Sequence, residues 1–240
     1  MIDYTFSESI AKEDWDLILN CSIYQEWIAK VQKKFNVSAI HFASVDFFAK
    51  RHEPLFIKLN AVATLPDGKL VHGVVFVRGN AVGVLVVLRS EGKPYLLLVD
   101  QPRFAIGYDH SLEIPAGILD WSRDYRKVAL SELKEEALMD ADDSELIDLS
   151  AFWHEQGVEG FAGSCGVLDE LIRLYAIERT VTKDELQAMD GKDQEYMEEN
   201  EWIKTIVLPY EEAAHKFVDG KNLIALFMYE RWLRAQGRSL

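Results

Sequence analysis

Cysteine is nearly absent from this chain of 240 residues. Only Cys21 and Cys165 occur, far apart and with no Cys-x-x-Cys pair, which excludes a disulfide framework or a zinc knuckle and predicts a reducing compartment. Long apolar runs are missing as well: the longest, Val82 to Leu88, is too short to cross a bilayer. The N-terminus has no basic stretch leading into an apolar one and is too acidic for a typical transit peptide, so a cytoplasmic protein is expected, with no membrane partner. Positive charge is also scarce. Twenty-six basic residues stand against 40 acidic ones, a net charge of −14 with no basic stripe to offset it; such a surface repels phosphate backbones, so a nucleic-acid partner is not expected. An anionic substrate would then need a cation to bring it in, and a bound metal ion is the simplest source of one.

What the chain does have is apolar and aromatic residues, 49% and 11%, enough for one full-sized core with a smaller subdomain attached. Residues Ser9 to Phe35 place Trp15, Ile18, Leu19, Ile23, Trp27, Ile28 and Val31 at helical spacing, in one helix or two. Strand-like runs follow at Phe56 to Ala63, Val71 to Val77, Val82 to Leu88 and Tyr95 to Val99. Pro66-Asp67-Gly68, Arg78-Gly79-Asn80 and Glu91-Gly92-Lys93 separate them, which predicts antiparallel pairing. A helix from Ser122 to Met139, strands at Leu171 to Ile177 and Trp202 to Leu208, and a helix from Leu223 to Ala235 complete the pattern. The fold class predicted is α/β with a mixed sheet. The change of character near residue 75 divides it into an N-terminal helical and antiparallel-strand subdomain, 1–75, and a main domain, 76–240.

The informative segment runs from Glu113 to Met139. On a helical wheel Trp121, Tyr125, Val128, Ala129, Leu133 and Ala137 share a broad arc that faces the core, and Glu132 and Glu136 lie inside that arc. Glu135 sits at its border, with Lys127, Ser131 and Lys134 turned to water. Carboxylates on the core side of a helix need compensation. An ordinary solvated charge run would supply it from lysine or arginine three or four residues away, and Glu132 has none at that spacing. A hard cation such as Mg²⁺ or Mn²⁺ would satisfy several carboxylate oxygens at once.

Gly117, then Glu132-Leu133-Lys134-Glu135-Glu136 and an apolar Met139, resembles the Nudix box, G-x5-E-x7-R-E-U-x-E-E-x-G-U with U a bulky apolar residue. Glu113-Ile114-Pro115-Ala116-Gly117 and Gln101-Pro102-Arg103 are similar to segments of the ADP-ribose and ADP-sugar pyrophosphatase branch of that family, of which plant-type ADP-sugar diphosphatases are the nearest likeness. Ser164-Cys165-Gly166-Val167-Leu168-Asp169-Glu170 resembles that branch's late loop, and the likeness covers roughly residues 56 to 236. The resemblance implies a Nudix-type α/β/α sandwich that hydrolyses the diphosphate bridge of ADP-ribose or an ADP-sugar to AMP and a sugar phosphate. It implies Mg²⁺ or Mn²⁺ held by Glu132, Glu136 and the Ala116 carbonyl with Glu135 in support, and a general base at Glu199 or Glu201. Arg103, Glu113, Asp169 and Glu170 would contact or orient the substrate, and the N-terminal subdomain would build a homodimer.

Three positions depart from the box. Arg123 stands where it has its first glutamate, Ser131 where it has arginine, and Leu138 where it has glycine. Loss of the arginine predicts reduced activity, since groups that orient a ligand are worth about 10- to 100-fold. The two changes at 123 and 131 read as one coupled move of positive charge from helix to loop. Without glycine to end it, the helix is expected to run on toward Asp140. Two alternatives follow: a Nudix-fold binding or scaffold protein with weakened turnover, and a Nudix hydrolase of another diphosphate such as a UDP-sugar or coenzyme A.

Overall fold

Alternating side chains build the first sheet, from β1 (Asp3–Phe6), β2 (Asn36–Phe48), β3 (Glu53–Thr64) and β4 (Leu70–Val77). They pair in that order in the computed structural model, which describes residues 1–48, 52–119, 124–153, 158–196 and 201–240. β1 runs parallel to β2, and β2, β3 and β4 are antiparallel. The helical stripe is two helices, α1 (Trp15–Asn20) and α2 (Ser22–Gln32), broken at Cys21, whose extended backbone cannot carry the helix on. They bring Ile18, Tyr24, Trp27 and Ile28 into one buried cluster with Phe42, Ile57 and Leu59 from the sheet.

The second sheet holds β5 (Ala81–Ser90), β6 (Lys93–Arg103), β7 (Tyr108–Glu113), β8 (Ala116–Ile118), β9 (Ile147–Asp148), β10 (Ile172–Thr180), β11 (Asp193–Tyr196) and β12 (Glu201–Pro209). Its order is β11-β12-β6-β5-β10-β9, with β7 paired to β6 and β8 to β5. The continuous apolar run of β5 is explained by burial on both faces. Leu85 and Val87 enter one core, Val84, Val86 and Leu88 the other, and β5 lies parallel to β10, so the sheet is mixed. On one face stand α4 (Leu149–Trp153), α6 (Tyr210–Ala214) and α7 (Gly220–Ala235); on the other, α3 (Tyr125–Glu135) and α5 (Lys183–Met189). This is an α/β/α sandwich.

The chain divides into two units, Met1–Asn80 with Ala162–Leu171, and Ala81–Phe161 with Ile172–Leu240. The expected boundary at residue 75 therefore shifts to 80, and a late loop joins the first unit. Hydrogen bonds explain why. Phe76 N–H donates to the Val167 carbonyl at 2.9 Å, and the Asn80 side chain accepts Leu171 N–H at 3.1 Å. Among the described residues no helix is long and apolar enough to cross a membrane.

Candidate active site

Helix α3 starts at Asp124, whose carboxylate accepts the Arg126 and Lys127 N–H groups, both at 3.2 Å. Such a cap contributes about 1 kcal/mol by satisfying amides that have no partner inside the helix. From this start the 3.6-residue period buries Val128, Ala129 and Leu133, and it turns Glu132 and Glu136 toward β8. Glu136 is 7% exposed, and its Oε2 accepts the Ala116 N–H at 2.8 Å. Glu132 lies over the next residue. A Cβ placed on Gly117 would fall inside the Glu132 carboxylate, nearer than the 3.0 Å that real Cβ atoms respect. With the carboxylate where it lies only glycine leaves it room at 117, while the backbone there stays in an ordinary strand. Glu135 is exposed, and its Oε1 accepts from Ser131 Oγ at 2.6 Å.

The segment leading into Ala116, from the end of β7 to Pro115, is held from several sides. Asn222, fully buried, donates to the Leu112 carbonyl at 2.9 Å and accepts Ile114 N–H at 3.0 Å, so its amide acts as a short piece of strand. Val84 N–H reaches the Pro115 carbonyl at 2.9 Å. Between them Glu113, 1% exposed, receives four donors. Arg103 Nε (2.6 Å) and Ser111 Oγ (2.9 Å) reach Oε1, while Arg103 Nη2 (2.8 Å) and Lys221 Nζ reach Oε2. Burial alone pushes this carboxyl up, but Arg103 and Lys221 together outweigh it and hold it at about 2. Its lone pairs are all used. Glu113, expected to contact or orient the substrate, is thus engaged within the fold by these four donors.

Lys221, Asp219 and Asn222 were not foreseen. Lys221 Nζ also lies 2.5 Å from Asp219 Oδ2, and Asp219 caps α7 by accepting Lys221 N–H at 2.8 Å. Asp219-Gly220 is a readable helix start, but nothing local to it names Glu113 as the partner.

Asp169 and Glu170 fall in the first unit and are engaged by its own groups. Asp169 Oδ1 accepts from Arg78 N–H (2.8 Å) and Gly79 N–H (3.3 Å), and Glu170 pairs with Arg78 Nη1 at 3.2 Å. Burial, the largest influence, raises the Asp169 carboxyl despite those two amides. In this arrangement both residues pin the late loop to the turn after β4. Glu199 and Arg123 lie outside the described residues, as does the side chain of Glu201, the first residue of β12.

Against known proteins, the NUDIX domain family pattern matches residues 77–224, more than half of the chain. The chain belongs to the Nudix family. It is 30% identical over 231 residues to "Nudix hydrolase 14, chloroplastic" of Arabidopsis thaliana, an alignment that covers 92% of this chain and 74% of that protein. A crystal structure of an ADP compounds hydrolase superposes with a TM-score of 0.56 at 16% identity, over 85% of this chain and 97% of that one, a likeness of fold.

The helix end corrects one expectation about this Nudix box. Helix α3 does not run on toward Asp140: it stops at Glu135, and Leu138 adopts the left-handed φ of +53° that the missing glycine would take. Met139 N–H then turns back to the Leu133 carbonyl at 2.9 Å and closes the helix. The donor set of this Nudix site is oxygen only, with Glu132 and Glu136 meeting at the Ala116-Gly117 backbone. Among the described residues no three His, Cys, Asp or Glu side chains gather closely enough to hold an ion alone. Two carboxylates completed by backbone, water and substrate phosphate match the habit of Mg²⁺, so the residues fit that group.

Proposed function

We propose that this Nudix hydrolase cleaves the diphosphate bridge of ADP-ribose or an ADP-sugar, giving AMP and a sugar phosphate, with Mg²⁺ or Mn²⁺ held by Glu132, Glu136 and the Ala116 carbonyl. One observation carries the reading: the Glu132 carboxylate occupies the space above Gly117 that any Cβ would fill, while Glu136 is anchored on the adjacent amide. Two carboxylates side by side with a backbone carbonyl are an oxygen donor set of the kind a hard divalent cation takes. When bound, such a cation neutralises charge on both phosphates and acidifies the attacking water.

The remaining roles belong to the chain itself. Ser131 orients Glu135, which supports its two neighbours on the helix; Glu113 fixes the guanidinium of Arg103, which faces the diphosphate or the distal sugar; Glu199 or Glu201 receives the proton. Asp169 and Glu170 hold the late loop to the turn after β4. The same proposal includes a homodimer built partly from the N-terminal unit, and a cytoplasmic location, for which the two free thiols Cys21 and Cys165 suit a reducing compartment. The plant relative is named for the chloroplast.

The test is a panel of ADP-ribose, ADP-sugars, UDP-sugars and coenzyme A with Mg²⁺ or Mn²⁺, the products separated by chromatography. AMP with a sugar phosphate, and no free sugar, is expected. ADP with free sugar would overturn the reaction, and tight nucleotide-sugar binding without cleavage under either metal would favour the scaffold reading.

A further inference from the structure

The strand leading into the proposed cation seat is clamped by the first turn of α7, which follows it by about a hundred residues. Glu113 is buried and charged, and only two cations touch it among the described residues. Arg103 is partly exposed. Lys221 is itself buried, and its ammonium bridges Glu113 and Asp219. Next to it, Asn222 holds the backbone on both sides of Glu113. Two residues after Ile114 comes Ala116, whose N–H anchors Glu136 and whose carbonyl is the proposed third ligand. Metal–ligand distances tolerate only about ±0.2 Å, so a small drift of this strand is felt at the cation.

We infer that Lys221 is a positioning residue for the cation seat, acting through Glu113 on the Ala116-Gly117 backbone. This rests on the reading that Glu132 and Glu136 hold a divalent cation. Without Lys221, a carboxylate 1% exposed to water keeps only Arg103 as a charged partner among the described residues. Such a group neutralises itself or moves toward solvent, and either change draws β7 and the start of β8 with it. Lysine's role is a compact charge at the base of a helix, and arginine can supply most of it.

Mn²⁺ binding to the full-length protein, followed by electron paramagnetic resonance with folding checked by circular dichroism, tests the inference without any substrate. Lys221→Met should weaken Mn²⁺ binding by about 10- to 100-fold, the range for residues that orient a ligand, and Lys221→Arg should recover most of the loss. If Lys221→Met fails to fold, Asp219→Asn replaces it: asparagine still caps α7 but no longer holds the ammonium by charge, and a smaller loss of Mn²⁺ affinity is expected. Wild-type affinity in a folded Lys221→Met or Asp219→Asn protein would overturn the inference, even if the melting temperature fell. Glu136→Gln separates the two layers. If it abolishes binding while Lys221→Met leaves it intact, the cation reading stands and the role of Lys221 does not. If wild-type protein shows no saturable Mn²⁺ binding, the cation reading fails and this inference with it.

Discussion

Replacing Gly117 by alanine tests the geometry of the proposed site with a single methyl group. The new Cβ would sit inside the Glu132 carboxylate, and ordinary van der Waals contact begins only at 3.4 Å. The carboxylate must therefore retreat by on the order of 1.5 Å. Glu132 is the far end of a flexible side chain on an otherwise packed helix, so it can move while α3 stays in place. Folding should survive at a cost of about 1 kcal/mol, the centre of the usual range for point substitutions. Cation binding should not survive unchanged, because a shift of that size is several times the tolerance of a metal–oxygen contact. Mn²⁺ affinity and turnover on the best nucleotide sugar should both fall by at least about 10- to 100-fold. A control is available in Gly163→Ala: its backbone is not left-handed and a Cβ there meets nothing within 4 Å, so that change should be silent. Titration of Mn²⁺ by magnetic resonance, with steady-state kinetics beside it, gives both readouts. Wild-type Mn²⁺ affinity in Gly117→Ala would show that Glu132 does not hold the ion from the position described.

Glu136→Gln should remove most activity at saturating Mg²⁺, because the neutral amide keeps the bond from Ala116 N–H but lacks the charge a cation needs; near wild-type turnover in a coupled phosphomonoester assay would refute the assignment. Ser131→Arg should keep or raise activity and leave the unfolding free energy within about 0.5 kcal/mol of wild type, since position 131 is exposed and an arginine there can still reach Glu135 one turn on. A large loss of activity would place Ser131 in a role beyond orienting Glu135. Glu113 makes a pH prediction. Its carboxyl lies at about 2 in the folded chain against an ordinary 4.5, so its contribution, on the order of 3 kcal/mol, is complete above about pH 4.5 and disappears as the pH falls toward 2. Urea denaturation between pH 5 and pH 3 should lose less stability in Glu113→Gln than in wild type, and equal acid sensitivity would refute the network.

The site was legible where its chemistry is periodic. Glu132 and Glu136 fall on the core side of α3 because 3.6 residues per turn put them there, and no tertiary knowledge is needed to see it. The run of β5 was legible for a different reason: an unbroken apolar stretch between turn residues marks a strand buried on both faces. By contrast, the 13-residue β2 escaped notice because its pairing with β3 slips between Val37 and Ala39, between Phe42 and Ser44, and between Asp46 and Phe47. Each slip resets which face an apolar residue reaches, so Val37, Ile40, Phe42, Val45 and Phe47 show no steady alternation. The distant grip on this segment was invisible for another reason: Lys221, which meets Glu113, and Asn222, which meets Leu112 and Ile114, lie more than a hundred residues further on, and a helix start carries no mark of the strand it will meet. The same holds for the late loop. Asp169 and Glu170 stand in a motif that suggested substrate, yet Arg78 and Gly79, some 90 residues earlier, occupy their oxygens.

Two positions that the Nudix pattern gives to glycine show why one can change and the other cannot. At 138 the requirement is conformational: a left-handed φ costs a leucine about 1–2 kcal/mol. What lies around it can offset that cost. Ala137 and Met139 are buried on either side, Met139 N–H closes the helix on Leu133, and the Leu138 side chain itself points largely into water. Full burial of a methionine alone contributes about 1.5–3 kcal/mol, so the helix end is specified by its neighbours and glycine only eases it. At 117 the requirement is spatial. The φ there is ordinary, no neighbour's burial can compensate, and the volume a Cβ would take is already filled by the carboxylate of Glu132. A substitution at 138 spends stability, which the fold can supply from elsewhere, whereas one at 117 displaces a carboxylate of the proposed cation seat. The chain has leucine at the first position, where only conformation is asked for, and glycine at the second, where the Glu132 carboxylate fills the space.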